Sequence, residues 1–265
     1  MPKHPTRRPV ALVTGASAGI GEELARVFAA HAHDVVLVAR RRDALEALAG
    51  QLEGKHGVTA TVIVDDLGDP DAPARIFAAV RASGIDVDVL VNNAGFGLGG
   101  EFSETPIDRE MAMIQVNITS LMQLTKLFVA PMLQRRAGYV MNVASTAAFF
   151  PGPMMSVYYA SKAFVLSFSQ ALSEELSKSG IVVSCLCPGP TETEFAEVAQ
   201  VKKAKLFDAN VADAREVAEF GYRAMMGGWR VAIPGARNKL LVQAQRFVPR
   251  RLITRAVKKL QESRA

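Results

Sequence analysis

The feature that most constrains the fold is a regular alternation of short apolar runs with helical segments along most of the chain. The apolar runs are nearly continuous, as expected for strands that are covered on both faces. Seven runs have this character: 10–13, 35–38, 61–64, 87–91, 139–143, 182–187 and 231–233. Strands joined by crossover helices predict an α/β fold, with one doubly wound parallel sheet and helices on both faces.

Helical patterns fill the segments between these runs, at 20–30, 43–53, 71–83, 108–136, 158–178 and 213–226. Four aspartates are expected to cap free backbone N–H groups at or near helix starts: Asp43, Asp71, Asp108 and Asp213. Ligands of such sheets bind beyond the carboxyl ends of the strands. Six residues that follow strands are therefore expected along one edge: Gly15, Arg40, Asp66, Asn93, Ser145 and Pro188.

A glycine-rich turn, Thr14-Gly15-Ala16-Ser17-Ala18-Gly19-Ile20-Gly21, joins the first strand to the first helix. Backbone without Cβ atoms lets the turn tighten and a pyrophosphate approach, and the helix N-terminus favours the anion. The spacing G-x-x-x-G-x-G differs from the G-x-G-x-x-G of the wider dinucleotide fingerprint. The turn predicts a dinucleotide site, and a tight connection without a ligand is the alternative.

The end of the second predicted strand bears on the choice between NADH and NADPH. An NAD site usually places an acid about 20 residues past the glycine turn. This chain has Ala39 there, followed by Arg40, Arg41 and Arg42. Arginine offers a phosphate planar, charge-assisted contacts, so we predict NADP(H), with Arg40 as the first candidate ligand of the phosphate and Arg41 as the second. A solvated basic helix start is the alternative.

The loops after strands three and four supply further candidates for the cofactor site. Asp66, next to Leu67, could accept a hydrogen bond from an adenine amino group, or could be a surface turn acid. The amides and small residues of Asn92-Asn93-Ala94-Gly95 could line the adenosine side and stabilise the sheet centre, or could form a turn without ligand contact.

Tyr158 and Lys162 stand four residues apart and share one face of a predicted helix. A free tyrosine titrates near pH ~10, and a nearby ammonium favours the phenolate and lowers its pKa. The pair therefore predicts a tuned proton donor beside the dinucleotide. The glycine-rich turn and the Tyr158–Lys162 pair together predict an oxidoreductase.

In this order and at these intervals, the motifs resemble the short-chain dehydrogenase/reductase family, in its NADP-preferring type with a Tyr-x-x-x-Lys active site. The matching elements span roughly residues 8–235 and also include Asn117, Ser145 and Pro188-Gly189. The resemblance implies a Rossmann-type fold, an NADP-dependent enzyme acting on CH–OH or C=O groups, and a homodimer or homotetramer.

The resemblance also implies a role for each residue. Tyr158 is the general acid in carbonyl reduction and the base in alcohol oxidation, and Lys162 holds the nicotinamide ribose and lowers the Tyr158 pKa. Ser145 binds the substrate oxygen, and Asn117 anchors a water in the proton relay. Tyr159 matches no role, and we interpret it as a packing or surface residue. The residues implied at the pyrophosphate and nicotinamide are Gly15, Ser17, Ala18, Gly19, Ile20, Gly21, Pro188, Gly189 and Thr193.

Apolar residues surround the expected substrate pocket: Phe96, Phe149, Phe150, Met154 and Met155. Flat aromatic and adaptable methionine side chains suit a lipophilic ketone, steroid or acyl substrate, and ordinary core is the alternative. Segment 194–212 could form a pair of lid helices. The residues that would close over the substrate are Phe195, Val198, Val201 and Leu206.

The chain is expected to divide into a catalytic domain at 1–235, with a frayed basic start at 1–8, and a basic amphipathic helical tail at 236–265. From Arg230 onward there are ten Lys/Arg and one acid, Glu262, although the whole chain carries only +5. The pattern predicts two short helices broken at Pro249. The tail could attach peripherally to anionic lipid, or could pack on the body or on a second subunit. The apolar face of its second helix consists of Leu252, Ile253, Ala256, Val257 and Leu260.

Other features narrow the partners and the compartment. Cys185 and Cys187 are expected to be buried reduced thiols, and we find neither metal-ligand spacing nor an export signal. We expect a cytoplasmic protein, with any membrane contact peripheral and on the inner face, and no nucleic-acid partner because the tail lacks interleaved aromatic residues. A catalytically silent cofactor-sensing or scaffold protein is the alternative function, and an epimerase or dehydratase is the runner-up among enzymes.

Overall fold

The computed structural model describes residues 7–199 and 211–261. Within these residues, seven strands form one sheet with the order β3-β2-β1-β4-β5-β6-β7, and all its pairings are parallel. The strands are β1 (Val10–Thr14), β2 (Asp34–Ala39), β3 (Ala60–Val64), β4 (Val89–Asn92), β5 (Gly138–Val143), β6 (Ile181–Leu186) and β7 (Val231–Ala232). The predicted doubly wound Rossmann-type sheet is confirmed, and its order reverses between β1 and β4.

The helices are α1 (Gly19–Ala30), α2 (Arg42–His56), α3 (Ala72–Ala82), α4 (Ile107–Ile114), α5 (Leu121–Arg135), α6 (Ser156–Glu175), α7 (Phe195–Val198), α8 (Ala214–Met226), α9 (Ala236–Ala244) and α10 (Arg250–Gln261). The expected aspartate cap is found at α8, where Asp213 accepts from the Glu216 N–H at 2.9 Å. The other three expected caps are wrong. Asp43 and Asp108 lie inside the first turn, where a carboxylate still complements the helix dipole, and Asp71 precedes α3 without a side-chain bond.

Alternate residues of each strand face two separate apolar cores, because side chains along a strand point to opposite faces. Val13 and Leu37 belong to the core beneath α1, α2 and α8. Leu12 and Val36 belong to the core beneath α3 and α5. This double coverage explains why the strands are continuous apolar runs in the sequence.

The helix predicted at 108–136 is found as α4 and α5 joined by a π-helical segment, Gln115–Ser120. By length and composition, Ile107–Arg135 could cross a membrane. However, Leu124, Phe128 and Met132 are buried in the core against the sheet. The helix is therefore a core element, and its π-helical segment carries Asn117.

The tail forms two helices that are broken at Pro249, as predicted, with a 3₁₀ turn at Gln245–Phe247 between them. Of the expected lid, α7 is the described part, while Val201 and Leu206 lie outside the described residues. Cys185 and Cys187 are buried free thiols, as expected, with their Sγ atoms 3.7 Å apart.

Candidate active site

The glycine turn between β1 and α1 is held by backbone and amide contacts. Gly15 has a φ of +67°, and its N–H donates to the Val38 carbonyl at 2.8 Å. The Asn93 side-chain amide donates to the Thr14 carbonyl at 2.9 Å. A Cβ atom on Gly21 would collide with the Gly15 carbonyl. The turn thus presents bare backbone at the N-terminus of α1, which is a setting for an anion.

Thr14 is a positioning residue that the sequence reasoning missed. Its buried hydroxyl accepts from the N–H groups of Asn93 at 3.0 Å and Ala94 at 3.1 Å, and donates to the Val91 carbonyl at 3.2 Å. The end of β1 is therefore tied to the end of β4, at the point where the strand order reverses. A threonine directly before the first glycine was the available signal.

The arginines after β2 lie at different parts of the cavity. Arg41 donates to the Ser17 carbonyl at 2.8 Å and to the Ser17 hydroxyl at 3.2 Å, and it also binds Glu194 at 3.1 Å. Arg40 is largely exposed and lies 3.8 Å from Asp66. Arg42 instead pairs with Glu46 along α2 and is not part of the cavity wall. The arginine in direct contact with the glycine turn is thus Arg41.

The loops after β3 and β4 complete this half of the cavity. Asp66 accepts from the Gly68 N–H at 2.9 Å, and the Leu67 carbonyl accepts from the Ser120 hydroxyl at 2.7 Å. A Cβ atom on Gly95 would lie 2.9 Å from the Asn117 Oδ1 and 3.3 Å from the Lys162 Nζ. A glycine at this position therefore keeps the space beside the lysine open.

Tyr158, Lys162 and Ser145 meet at the carboxyl end of β5. The Tyr158 side chain hydrogen-bonds Ser145. The Lys162 ammonium donates to the Val143 carbonyl at 2.9 Å and lies 5.9 Å from the centre of the Tyr158 ring. All three residues line the cavity, although Tyr158 and Lys162 are almost fully buried. The structure thus brings together the three groups that the sequence singled out for proton chemistry.

Burial controls the acidity of this pair. It raises the pKa of Tyr158 above its ordinary value, and the hydrogen bond with Ser145 only partly opposes the rise. It lowers the pKa of Lys162 to about 8, because the charged ammonium is removed from water. The expected lowering of the Tyr158 pKa is therefore not found in this structure. The physical reason is that burial disfavours the phenolate, and it also disfavours the charged ammonium that was expected to stabilise the phenolate.

Two predicted site residues, Gly21 and Asn117, are not part of the cavity wall. Gly21 is buried behind the turn. The buried Asn117 amide donates to the Phe96 carbonyl and to the Ser161 hydroxyl, both at 3.0 Å, and its oxygen accepts from the Phe96 N–H at 3.1 Å. These bonds fasten the loop after β4 to α6, so Asn117 supports the site from behind.

The segment after β6 passes directly over the cavity. The Pro188 carbonyl accepts from the Ser145 hydroxyl at 3.3 Å and from the Thr146 N–H at 2.8 Å. Thr193 lies against the glycine turn, because a Cβ atom on Gly19 would come within 2.8 Å of its methyl group. The cavity wall also includes Ser17, Ala18, Ile20, Arg40, Asp66, Leu67, Asn93, Ala94, Gly95, Pro188 and Gly189.

The cavity has a volume of about 1190 Å³ and extends from the glycine turn past Tyr158 to the tail. Of the expected pocket residues, Phe96, Phe150 and Met155 line it, as do Phe195 and Val198 of the α7 segment. Phe149 instead packs in a neighbouring core cluster. Met154, whose φ is +68°, is not part of the cavity wall.

The tail covers the cavity, which the sequence did not reveal. The apolar face of α10 forms a roof: Leu252, Ile253, Ala256, Val257 and Leu260. The buried Gln261 amide donates to the Tyr159 hydroxyl at 2.6 Å, and this bond fixes the end of the roof to the residue next to Tyr158. Tyr159 thus packs and also anchors the tail.

The donors and the space fit a dinucleotide. The glycine turn leaves a cradle that a Cβ atom at Gly15 or Gly21 would fill. Arginine guanidinium groups stand at one end of the cavity, and a lysine and a tyrosine stand in its middle. Ala39 stands where an NAD site usually has a carboxylate, so no acid at that position opposes a phosphate on the ribose.

Comparisons with known proteins agree with this geometry. The family model described as short chain dehydrogenase matches residues 9–204. A very-long-chain 3-oxoacyl-CoA reductase from Anas platyrhynchos is 35% identical over 196 residues, which cover 72% of this chain but only 62% of that protein. This chain therefore spans less than two thirds of the length of that relative.

Two solved structures cover nearly the whole chain. A short-chain dehydrogenase from Sphingobium yanoikuyae in complex with NADPH has a TM-score of 0.81 and 34% identity, over 90% of this chain and 94% of that chain. A bulky-bulky ketone specific alcohol dehydrogenase from Comamonas testosteroni has a TM-score of 0.78 and 31% identity, over 91% and 94%. The matched family model, the shared fold and these identities show that the chain belongs to the short-chain dehydrogenase family.

Proposed function

We propose that the protein is an NADPH-dependent oxidoreductase that reduces the carbonyl group of a bulky, lipophilic substrate to an alcohol. The observation that carries the proposal is the position of Tyr158, Ser145 and Lys162. They lie in a cavity with a glycine turn at one end and an apolar roof at the other. The relatives named above act on very-long-chain acyl and bulky ketone substrates, which supports a large apolar substrate here.

NADP(H) is the cofactor that the cavity suits, and it would supply the hydride. Ser17 and the backbone of the glycine turn would bind its pyrophosphate. Arg41 and Arg40 would bind the phosphate that distinguishes it from NAD(H), through charge-assisted contacts. Asp66 would accept from the adenine amino group, and Lys162 would hold the nicotinamide ribose.

Tyr158 would donate the proton to the substrate oxygen, while Ser145 would orient that oxygen with its hydroxyl. A raised pKa keeps Tyr158 protonated at neutral pH, which suits a general acid in carbonyl reduction. The bonds that Asn117 makes to Phe96 and Ser161 would hold the loop and helix that carry the proton relay.

The test of this function is NADPH oxidation with a panel of long-chain ketones, steroids and β-keto acyl thioesters. We expect Tyr158→Phe to lower turnover by about 10²–10⁴-fold, because it removes the transferable proton, and to leave NADPH binding intact. Tyr222→Phe is the matched control, since it removes a tyrosine hydroxyl on α8, outside the cavity wall. Near-normal turnover by Tyr158→Phe would exclude this mechanism, and NADPH binding without any turnover on the panel would favour a silent cofactor-sensing protein.

We also infer a homo-oligomer. Exposed apolar side chains lie on the outer surface of α4, α5 and α6: Ile107, Met111, Met122, Leu133 and Phe164. An extended apolar surface of this kind typically marks a contact with another chain. The mass in solution, measured by light scattering, tests the inference, and a monomer at all concentrations would contradict it.

A further inference from the structure

We propose that the tail docks on an anionic lipid bilayer and that the mouth of the cavity opens into that membrane contact. The contact surface is here named the tail patch. It consists of apolar residues Leu240, Leu241, Phe247, Val248, Leu252 and Leu260 and of basic residues Arg237, Arg246, Arg250, Arg251, Arg255, Lys258 and Lys259. The docking stands by itself, whereas the delivery of a substrate from the bilayer rests on the proposed function.

The apolar part of the tail patch is unusually exposed. Phe247, the last residue of the turn between α9 and α10, is 88% exposed, and Leu240 on α9 is 69% exposed. Large apolar side chains grouped on one surface, with charged residues around them, mark an interaction site. Phe247 lies next to Arg246 in the chain, and Arg250 follows at the start of α10. The turn therefore combines an apolar anchor with cations, as membrane-surface helices do.

The basic part of the tail patch lies outside the cavity wall. On α10, the cavity wall includes Leu252, Ala256 and Leu260, while the exposed basic residues are not part of it: Arg250, Arg251, Arg255, Lys258 and Lys259. Within residues 7–199 and 211–261, no carboxylate forms an ion pair with these five side chains. Their charge is therefore available to a partner of opposite sign.

The cavity mouth coincides with the tail patch. Leu241, Val248, Leu252 and Leu260 line the cavity and are nevertheless 41–53% exposed. They are the rim through which the interior of the cavity continues to the outside. An apolar molecule that leaves a bilayer at this rim would reach Tyr158 along an apolar wall without crossing bulk water. A bilayer at the patch thus accounts for both the exposed rim and the apolar roof.

The positive charge of the tail patch favours an anionic bilayer over a second copy of the chain as its partner. A two-fold interface places the same surface against itself, and here it would oppose two sets of positively charged side chains. The segment from Arg230 onward carries ten basic residues and one acid, so a second tail offers almost no neutralising carboxylates. Anionic headgroups supply the missing charge, and the acyl region accommodates the exposed leucines and Phe247.

Flotation of the full chain with vesicles tests the proposal. We expect binding to phosphatidylcholine vesicles that contain phosphatidylglycerol and little binding to phosphatidylcholine alone. Phe247→Ser should weaken binding by about tenfold or more, since an aromatic anchor is lost. The pair Arg251→Gln and Lys258→Gln should weaken it by about 25-fold, at about fivefold per basic residue.

The matched controls change the same chemistry elsewhere on the surface. Phe102→Ser removes an exposed phenylalanine before α4, and the pair Arg42→Gln and Lys55→Gln removes two exposed cations from α2. These controls should bind vesicles like the unaltered protein. Equal losses in controls and tail variants, or no binding to anionic vesicles, would overturn the docking. Tail-dependent dimerisation without vesicle binding, or preferential binding of duplex DNA, would overturn it in favour of another partner.

Activity measurements separate this proposal from the proposed function. Phe247→Ser should reduce a dissolved small ketone at the normal rate but should lose turnover of a ketone dissolved in vesicles, because Phe247 lies outside the cavity wall. If both substrates are unreactive with the unaltered protein while flotation succeeds, the proposed function fails and the docking stands. Equal rates with vesicle-borne ketone for Phe247→Ser and the unaltered protein would overturn the delivery.

Discussion

Tyr158 and Lys162 show what residue spacing can and cannot predict. Their spacing of four residues predicted a shared helix face, and both side chains do line one cavity. The direction of the Tyr158 pKa was not predictable in this way, because it depends on how much water the fold removes. Both groups are almost fully buried, and burial shifts each toward its neutral form.

One prediction at this scale concerns stability and pH. Lys162 titrates at 10.5 as a free side chain and at about 8 in the fold. Between these values the unfolded chain holds a proton that the folded protein has released, so the free energy of unfolding from this group rises with pH. Below about pH 8 the buried lysine is charged in the folded protein, so the fold carries the full free-energy cost of removing the ammonium from water. Lys162→Met should therefore raise the Tm at neutral pH by several degrees, at about 2–4 °C per kcal/mol.

The advantage of Lys162→Met should shrink as the pH rises from about 8 toward about 10, because the lysine becomes neutral in the folded protein. Thermal unfolding of the two proteins across this range measures the difference. A gap that widens with pH would show that Lys162 is stabilising as a cation, contrary to this expectation.

A second prediction at the residue scale concerns the cofactor phosphate. Arg41→Ala removes the guanidinium that contacts the glycine turn at Ser17. We expect the KM for NADPH to rise by about 10–100-fold, the range for a charge-assisted hydrogen bond, with little change for NADH. Arg40→Ala should act in the same direction. Arg42→Ala is the control because it faces Glu46, and unchanged NADPH preference in both of the first two variants would remove the arginines from this role.

At the scale of elements, strands were predictable as short continuous apolar runs, and helices were predictable from apolar residues that recur about every three or four positions. The helix at 108–136 was predicted as one uniform piece, and its π-helical segment was not foreseen, since no local residue pattern marks it. The amides after the fourth strand were expected to stabilise the sheet centre, and the buried Asn92 amide does bond Thr125 and Asn142, each at 2.9 Å, and so links β4, β5 and α5. Asparagines inside apolar runs were the available signal.

Two glycine-to-alanine substitutions, one in the glycine turn and one on α2, are expected to change stability in opposite directions. Gly21→Ala would push a Cβ atom into the Gly15 carbonyl, so both stability and NADPH affinity should fall. Gly50→Ala lies on α2 with nothing within 4 Å of the new atom. It should raise stability by about 0.5–1 kcal/mol, because alanine is the better helix former. Denaturant unfolding and NADPH titration of both variants check the pair, and a stable, NADPH-binding Gly21→Ala protein would contradict it.

At the scale of the whole molecule, the sequence predicted the amphipathic tail but left its partner open. What the tail contacts became visible only in the assembled fold, because the roof position of α10 depends on Tyr159 and on the cavity beneath it rather than on any pattern within the tail. The tail's own sequence says only that one face is apolar. The Gln261–Tyr159 hydrogen bond is a contact between residues 102 positions apart.

That bond yields a prediction for the roof. Gln261→Leu leaves the buried Tyr159 hydroxyl without its donor, which costs about 1–3 kcal/mol. Amide hydrogen exchange in α10 should accelerate by about 10–100-fold, and the KM for a bulky substrate should rise more than kcat falls. Gln243→Leu, an exposed position on α9, is the control. Unchanged exchange in α10 would mean that apolar contacts alone hold the roof.

The roof is built from residues after 249, whereas the groups proposed for proton and hydride chemistry all lie before residue 200. Sequence drift or exchange of the roof segment would therefore alter which molecules enter the cavity and leave the reaction itself unchanged. In a protein arranged like this one, substrate range and catalytic chemistry are free to evolve separately.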